Sequence, residues 1–145
     1  MAGWVPPMLP AEEPLTEGFF AGARRGELCV QACLACGRLR HPPRPMCPWC
    51  RSTDSTWRGV SGRGTIWSFA VPHPPLLAGF AELAPYNVII VALDDDPLVR
   101  LTGNLVEAAG GPPNAVDPAT LAIGEPVRVV FHLVEDVAYP QWVRA

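Results

Sequence analysis

Apolar and polar positions change rhythm twice along the chain. Near the start, Thr16 and Glu17 can open a helix, Phe19, Phe20 and Ala23 give it an apolar side, and Gly26 is placed to end it. From Glu27 to Ala32 the positions alternate weakly, as in a strand. Beyond residue 60 the pattern is strand throughout. Ser61-Gly62-Arg63-Gly64 reads as a turn and Thr65 to Val71 as a strand of β-branched and aromatic residues. A proline-rich loop, His73 to Pro85, precedes a mostly apolar strand, Tyr86 to Leu93. Asp94-Asp95-Asp96-Pro97 is a solvated hairpin turn and Leu98 to Thr102 the returning strand. After a Gly- and Pro-rich loop, Glu107 to Pro118, the turn at Ile123-Gly124-Glu125-Pro126 leads into Val127 to Val134, long enough to wrap a barrel.

About five short strands with two extended loops predict a small closed barrel of the OB type, in which closure removes exposed edges. The expected class is mainly β, in three parts: an arm and helix over 1–26, a metal-bearing ribbon over 27–59, and a five-stranded barrel with a C-terminal tail over 60–145. In residues 1 to 13, Pro6, Pro7 and Pro10 deny backbone donors to regular structure, so the arm is expected to be disordered or draped over a partner.

Four of the five cysteines form two CxxC pairs, Cys33-Leu34-Ala35-Cys36 and Cys47-Pro48-Trp49-Cys50. That spacing suits a metal site in a reducing compartment better than a disulfide framework. Each tight turn aims two thiolates at one point while its backbone amides stabilise their charge, the arrangement tetrahedral zinc requires. Bound iron and a redox dithiol are the alternative readings. Four cysteines leave no open coordination position, so the zinc is read as structural. Cys29 is left over and reads as a small buried hydrophobe.

Charge adds a further feature. The net value is −3, but residues 24 to 63 carry eight arginines against Glu27 and Asp54, while the rest of the chain carries three against twelve acids. All the basic residues are arginine, which forks phosphate and carboxylate. The ribbon is therefore expected to face something anionic, although scattered solvated arginines read equally well. No stretch approaches the ~20 apolar residues that span a bilayer, and Met1-Ala2-Gly3-Trp4-Val5-Pro6-Pro7 is no secretory leader. The expectation is a soluble, cytoplasmic protein without membrane contact.

The order of Phe19-Phe20, Gly26-Glu27-Leu28, Gln31 to Gly37, Pro42-Pro43-Arg44, Cys47 to Cys50, Trp57, Gly62 to Ile66, Pro85-Tyr86 and Ile123 to Val127 resembles the zinc-ribbon and OB-fold family known as domain of unknown function 35. The resemblance implies a helical N-terminal segment, a rubredoxin-like zinc ribbon and an OB barrel. It also implies an accessory subunit or fused domain of thiolase-fold lyases or of MaoC-like enoyl-CoA hydratases, some of which serve the aldol cleavage of steroid side chains carried on coenzyme A. A heterotetramer with the lyase is implied in the same way. The sequence departs from the family pattern at Arg51, where a glycine usually follows the second knuckle, and no hydratase sequence precedes the ribbon.

Within that frame the candidate residues fall into two groups. Arg38, Arg40, Arg44 and Arg63, with His73 and Phe80, are expected to bind an acyl-CoA thioester. Phe19 and Phe20, Leu76 and Leu77, and Tyr139 and Trp142 of the tail are expected to meet the partner, since so small a domain has limited core volume and aromatics favour interfaces. Trp4 belongs with them. No histidine among His41, His73 and His132 has a partner at a recognisable spacing, so none is assigned a catalytic role. Single-stranded nucleic-acid binding, with Trp67 and Phe69 stacking bases, is the rival reading, disfavoured by the acidic barrel.

Overall fold

The computed structural model describes residues 3–145; Met1 and Ala2, on which part of the reading of the arm falls, lie outside the described residues. A 3-10 turn, Pro14–Thr16, runs into helix α1, Glu17–Arg24, and Gly26 follows with a φ of 76°. The helix packs against both a small ribbon and a barrel and so joins them. Gly18 makes the ribbon contact possible, because a Cβ there would overlap the indole of Trp57.

The ribbon is a three-stranded antiparallel sheet of order β2-β1-β3, from β1 (Cys29–Cys33), β2 (Leu39–Arg40) and β3 (Ser55–Gly59). Every residue of β1 is buried. The barrel is a curled five-stranded sheet of order β6-β5-β4-β7-β8, formed by β4 (Arg63–Ala70), β5 (Val88–Leu93), β6 (Arg100–Gly103), β7 (Pro126–Val134) and β8 (Val137–Arg144). Its two ends approach where Trp142 N–H donates to the Asn104 carbonyl (3.0 Å) and Val106 N–H donates to the Trp142 carbonyl (2.8 Å).

The strand pattern carries one correction. The expected tail is β8, paired with β7 from Val127↔Arg144 to Val134↔Val137. Pro140 conceals it in the sequence, since proline cannot donate to a ladder; here it lies in the last strand of the sheet order, opposite Phe131, where such a residue is tolerated. Trp142 is fully buried in the core and is not available to a partner. Phe20, only 7% exposed, is likewise internal. The arm is also corrected: it lies on its own barrel, with Trp4 N–H donating to the Gly110 carbonyl (2.9 Å) and the Trp4 ring stacked toward His132.

One hydrophobic cluster runs from the ribbon through the barrel, joining Leu28, Val30, Ala32 and Leu39 to Ile66, Ile89, Leu101 and Trp142. The long loop after β6 is held down by polar groups instead. Asn87, fully buried, donates to the Leu105 and Pro113 carbonyls (2.8 and 2.9 Å) and accepts from Leu105 N–H (2.6 Å). Gln141 does the same for Gly110 and Gly111. The Asp94–Asp96 turn forms as expected, yet Asp95 is more than solvated: its carboxylate accepts from the Ser61 amide and hydroxyl and ties the turn to the start of β4. Among the described residues, β4 beyond Thr65 pairs only with β5, across a bulge between Ile66 and Ser68, so Trp67 to Ala70 leave one edge without a strand partner there.

Replacing Asn87 with alanine would strand one buried amide and two carbonyls. A loss of about 3 kcal/mol in urea denaturation is expected; an unchanged midpoint would show that the loop is held by other means.

Candidate metal centre and ribbon–barrel cleft

The two knuckles sit at adjacent corners of the ribbon and face each other. All four sulfurs of Cys33, Cys36, Cys47 and Cys50 lie within 4.8 Å of one another. The Cys33–Cys50 and Cys36–Cys47 separations are 3.5 and 3.7 Å, close to the edge of about 3.8 Å of a tetrahedron with zinc–sulfur bonds of about 2.3 Å. The amide of Cys36 donates to the Cys33 sulfur at 3.4 Å, and with that of Ala35 it brings the Cys33 thiol down to about 6. Amides of Cys50 and Trp49 lower Cys47 in the same way. At Cys50 the Ser52 amide acts downward, but the neighbouring thiols, Cys33 first, together with desolvation outweigh it and push the group up to about 11. Four thiols this close cannot all ionise unless a cation balances them, and four soft donors in a tetrahedron fit zinc.

The knuckles close by the same device. Gly37 N–H donates to the Cys33 carbonyl and Arg51 N–H to the Cys47 carbonyl, both at 2.9 Å, with φ values of 76° and 65°. Arg51 therefore keeps the left-handed turn usually given to glycine, at some conformational cost.

Beneath the first knuckle Gln31, buried in β1, organises the loop that follows β2. Its Oε1 accepts from Arg40 Nε (2.7 Å) and from Arg44 N–H (2.8 Å), while its Nε2 donates to Ser55 Oγ (3.1 Å). Arg40, only 4% exposed, also donates through Nη2 to the Arg44 carbonyl (3.1 Å). The result is a cleft of about 590 Å³ between this loop and the β5–β6 hairpin, lined by Arg38, Arg40, Arg44 and Trp49 on the ribbon side and by Asp96 and Leu98 on the other. His41 borders it too. Burial drops its pKa to about 4, which keeps the ring neutral against Phe19.

Three of the four expected arginines thus converge, with Arg40 as a buried scaffold residue and not an exposed ligand. Arg63 does not join them. It lies on β4 in a separate cleft with Arg128 and Asp94. His73 is exposed, and Phe80 is half-buried against Tyr86 at 6.4 Å; both belong to the 73–85 loop and line neither cleft. Among the residues expected at an interface, Leu77 is 69% exposed and Leu76 half-buried. Phe19 and Tyr139 share a shallow apolar groove with Pro42 and Pro140. The Tyr139 hydroxyl lies 2.8 Å from His132 Nδ1; burial raises the tyrosine to about 12 and lowers the histidine. Trp67 is half-exposed, with the Arg100 guanidinium 3.8 Å from its ring centroid. In the sequence Gln31 belongs to the family pattern but has no role of its own, because a glutamine in a strand carries no signal until its partners are placed.

Two outcomes are expected. Fresh protein should hold about one zinc per chain, and Cys47→Ser or chelation should cost much of the ribbon's stability, because metal-binding energy contributes directly to folding; protein that is metal-free and equally stable would contradict the assignment. Arg51→Gly should raise stability to denaturant by about 1 kcal/mol, since the left-handed backbone costs a non-glycine residue about 1–2 kcal/mol and glycine loses part of that advantage through unfolded-chain entropy.

Residues 20–56 match the rubredoxin-like zinc ribbon domain of ChsH2 and residues 57–132 its C-terminal OB-fold domain. The chain is 35% identical over 135 residues to the 3-oxo-4,17-pregnadiene-20-carboxyl-CoA hydratase alpha subunit of Mycobacterium tuberculosis, matching over 93% of its own length but 38% of that protein. A match to a probable enoyl-CoA hydratase alpha subunit of Thermomonospora curvata spans 30% of that protein. A DUF35 domain-containing scaffold protein of Methanothermobacter thermautotrophicus is 33% identical and covered over 77% of its length. Among solved structures, a chain of the Ltp2-ChsH2(DUF35) aldolase superposes with a TM-score of 0.77 at 31% identity, over 94% of this chain and 98% of that one. A continuous core, paired CxxC knuckles in a tetrahedron and this span of similarity place the chain in the ChsH2-type zinc-ribbon and OB-fold family, domain of unknown function 35.

Proposed function

We propose that the chain is a zinc-stapled accessory subunit that assembles with a thiolase-fold lyase and helps bind its acyl-CoA substrate, in the degradation of steroid side chains. The observation that carries this reading is the end-to-end correspondence with the DUF35 chain of the Ltp2-ChsH2 aldolase. The same folded unit makes up a minor share of the hydratase alpha subunits, which supports a second reading, the accessory part of a MaoC-like enoyl-CoA hydratase. In both readings the unit presents a rigid surface to a catalytic partner.

The chain's own side chains support an accessory role. His41 and His132 are packed in the fold, where burial lowers the pKa of each, that of His41 to about 4, and exposed His73 has no partner carboxylate within salt-bridge distance among the described residues. The arginine-lined ribbon cleft suits the phosphates of coenzyme A. Loop 73–85 and the Phe19–Tyr139 groove are the apolar surfaces offered to a partner. Among the described residues no helix is long and apolar enough to cross a membrane.

Co-expression with a thiolase-fold lyase chain, followed by size-exclusion chromatography with light scattering, should give a heterotetramer that cleaves a steroid acyl-CoA. Elution as a lone monomer beside a fully active lyase would refute the proposal. In the complex, His73→Ala should change turnover by less than about tenfold, whereas loss of a general acid or base costs about 10²–10⁴-fold.

A further inference from the structure

The loop from His73 to Pro85 contains no strand or helix, and among the described residues its hydrogen bonds are all internal. Phe80 and Ala81 N–H donate to the Leu77 carbonyl (3.0 and 3.3 Å) and Leu83 N–H donates to that of Phe80 (3.1 Å). None reaches the barrel. A connection of this length needs another tie if it is to keep one place on the surface, because turns within a loop do not fix it to the body. The N-terminal arm supplies one. Gly79 meets the Pro7 ring so closely that a Cβ on the glycine would lie 2.7 Å from Pro7 Cβ.

Pro7 is itself held from the core outward. Gln141, 1% exposed, accepts from Gly110 N–H at 2.8 Å and donates to the Gly111 carbonyl at 3.0 Å, which fixes that turn. The start of the arm sits on it. Trp4 N–H donates to the Gly110 carbonyl (2.9 Å), the Trp4 ring stacks toward His132, and a Cβ on Gly3 would lie 2.8 Å from the Gly110 oxygen. Pro6 and Pro7 follow almost at once, and their fixed φ lets the seat of Trp4 decide where the Pro7 ring lies. At the far end Glu12 accepts from Arg24 Nη1 and Nη2 (3.0 and 3.2 Å), tying the arm to α1. We infer that the arm is a strap, latched where Trp4 and Gly3 cross Gly110, that holds loop 73–85 in one place through Pro7 on Gly79. Prolines suit this task, since their restricted backbone has less freedom to lose on seating. One consequence is that Leu77, 69% exposed, is presented at a fixed position to whatever docks there. That consequence rests on the accessory-subunit reading; the strap does not.

The test is amide hydrogen exchange, followed residue by residue by NMR on the zinc-loaded full chain without any partner. Trp4→Ala removes the stacked ring, and Gly3→Val places a side chain where the Gly110 carbonyl leaves no room. Each variant should free the amide of residue 4 and speed exchange at Phe80, Ala81 and Leu83 by about fivefold or more, the weight of one hydrogen bond. Val5→Ser, which alters a side chain 67% exposed on the same arm, should leave those amides as they are. Three results would overturn the inference. A residue-4 amide that stays protected in both variants would remove the latch, and loop amides that do not respond once the arm is free would remove the strap. Loop exchange that rises only in step with that of β5, or equally in Val5→Ser, would mean that the whole fold had loosened. Because no lyase takes part, a failure here is distinct from a failure to assemble with one.

Discussion

The complete burial of β1 is the constraint on which the rest of the molecule depends. A strand in the middle of a three-stranded sheet, with no exposed residue, must satisfy both of its faces inside the protein. Its apolar positions, Val30 and Ala32, join the barrel core. Gln31 between them points to the polar side and fixes Arg40 and the loop that ends at Arg44. Its last residue, Cys33, is a metal ligand. One five-residue strand thus ties the metal, the arginine cleft and the barrel into one body, and disturbing any of the three is felt by the others.

Much of this was legible in the sequence. CxxC spacing is local, so both knuckles and the four ligands could be read directly, and the β-branched and aromatic content of Thr65 to Val71, with the succession of about five short strands, announced a barrel. What was missed depends on partners far apart in the chain. The segment Val137 to Val143 read as a tail because Pro140 interrupts it and because its register is set only by β7. Aromatic residues at the two ends were assigned outward on the argument that a small domain cannot bury them all. The core proved able to take Trp142 and Phe20, leaving Phe19 and Tyr139 half-buried at the surface.

The arginine-rich segment shows how composition can mislead about individual residues. Arg40 reads from sequence like any of its neighbours, but its burial and its bonds to neutral groups make it part of the framework. Arg63 is separated from the group by the turn into β4. Electrostatic character was readable as a sum over the segment; its focus in one cleft was not.

The outer half of β4 leaves Trp67 to Ala70 with a bare hydrogen-bonding edge, flanked by the half-exposed rings of Trp67 and Phe69. In a protein made in quantity such an edge is where a second molecule would add a strand and begin a fibre. Two local features oppose that. The bulge between Ile66 and Ser68 bends the edge out of register, and Pro72, Pro74 and Pro75 immediately beyond it supply no donors to extend a ladder. The proline-rich loop therefore acts as a stop against self-assembly, and shortening or diversifying it would be expected to reduce solubility before it altered the fold.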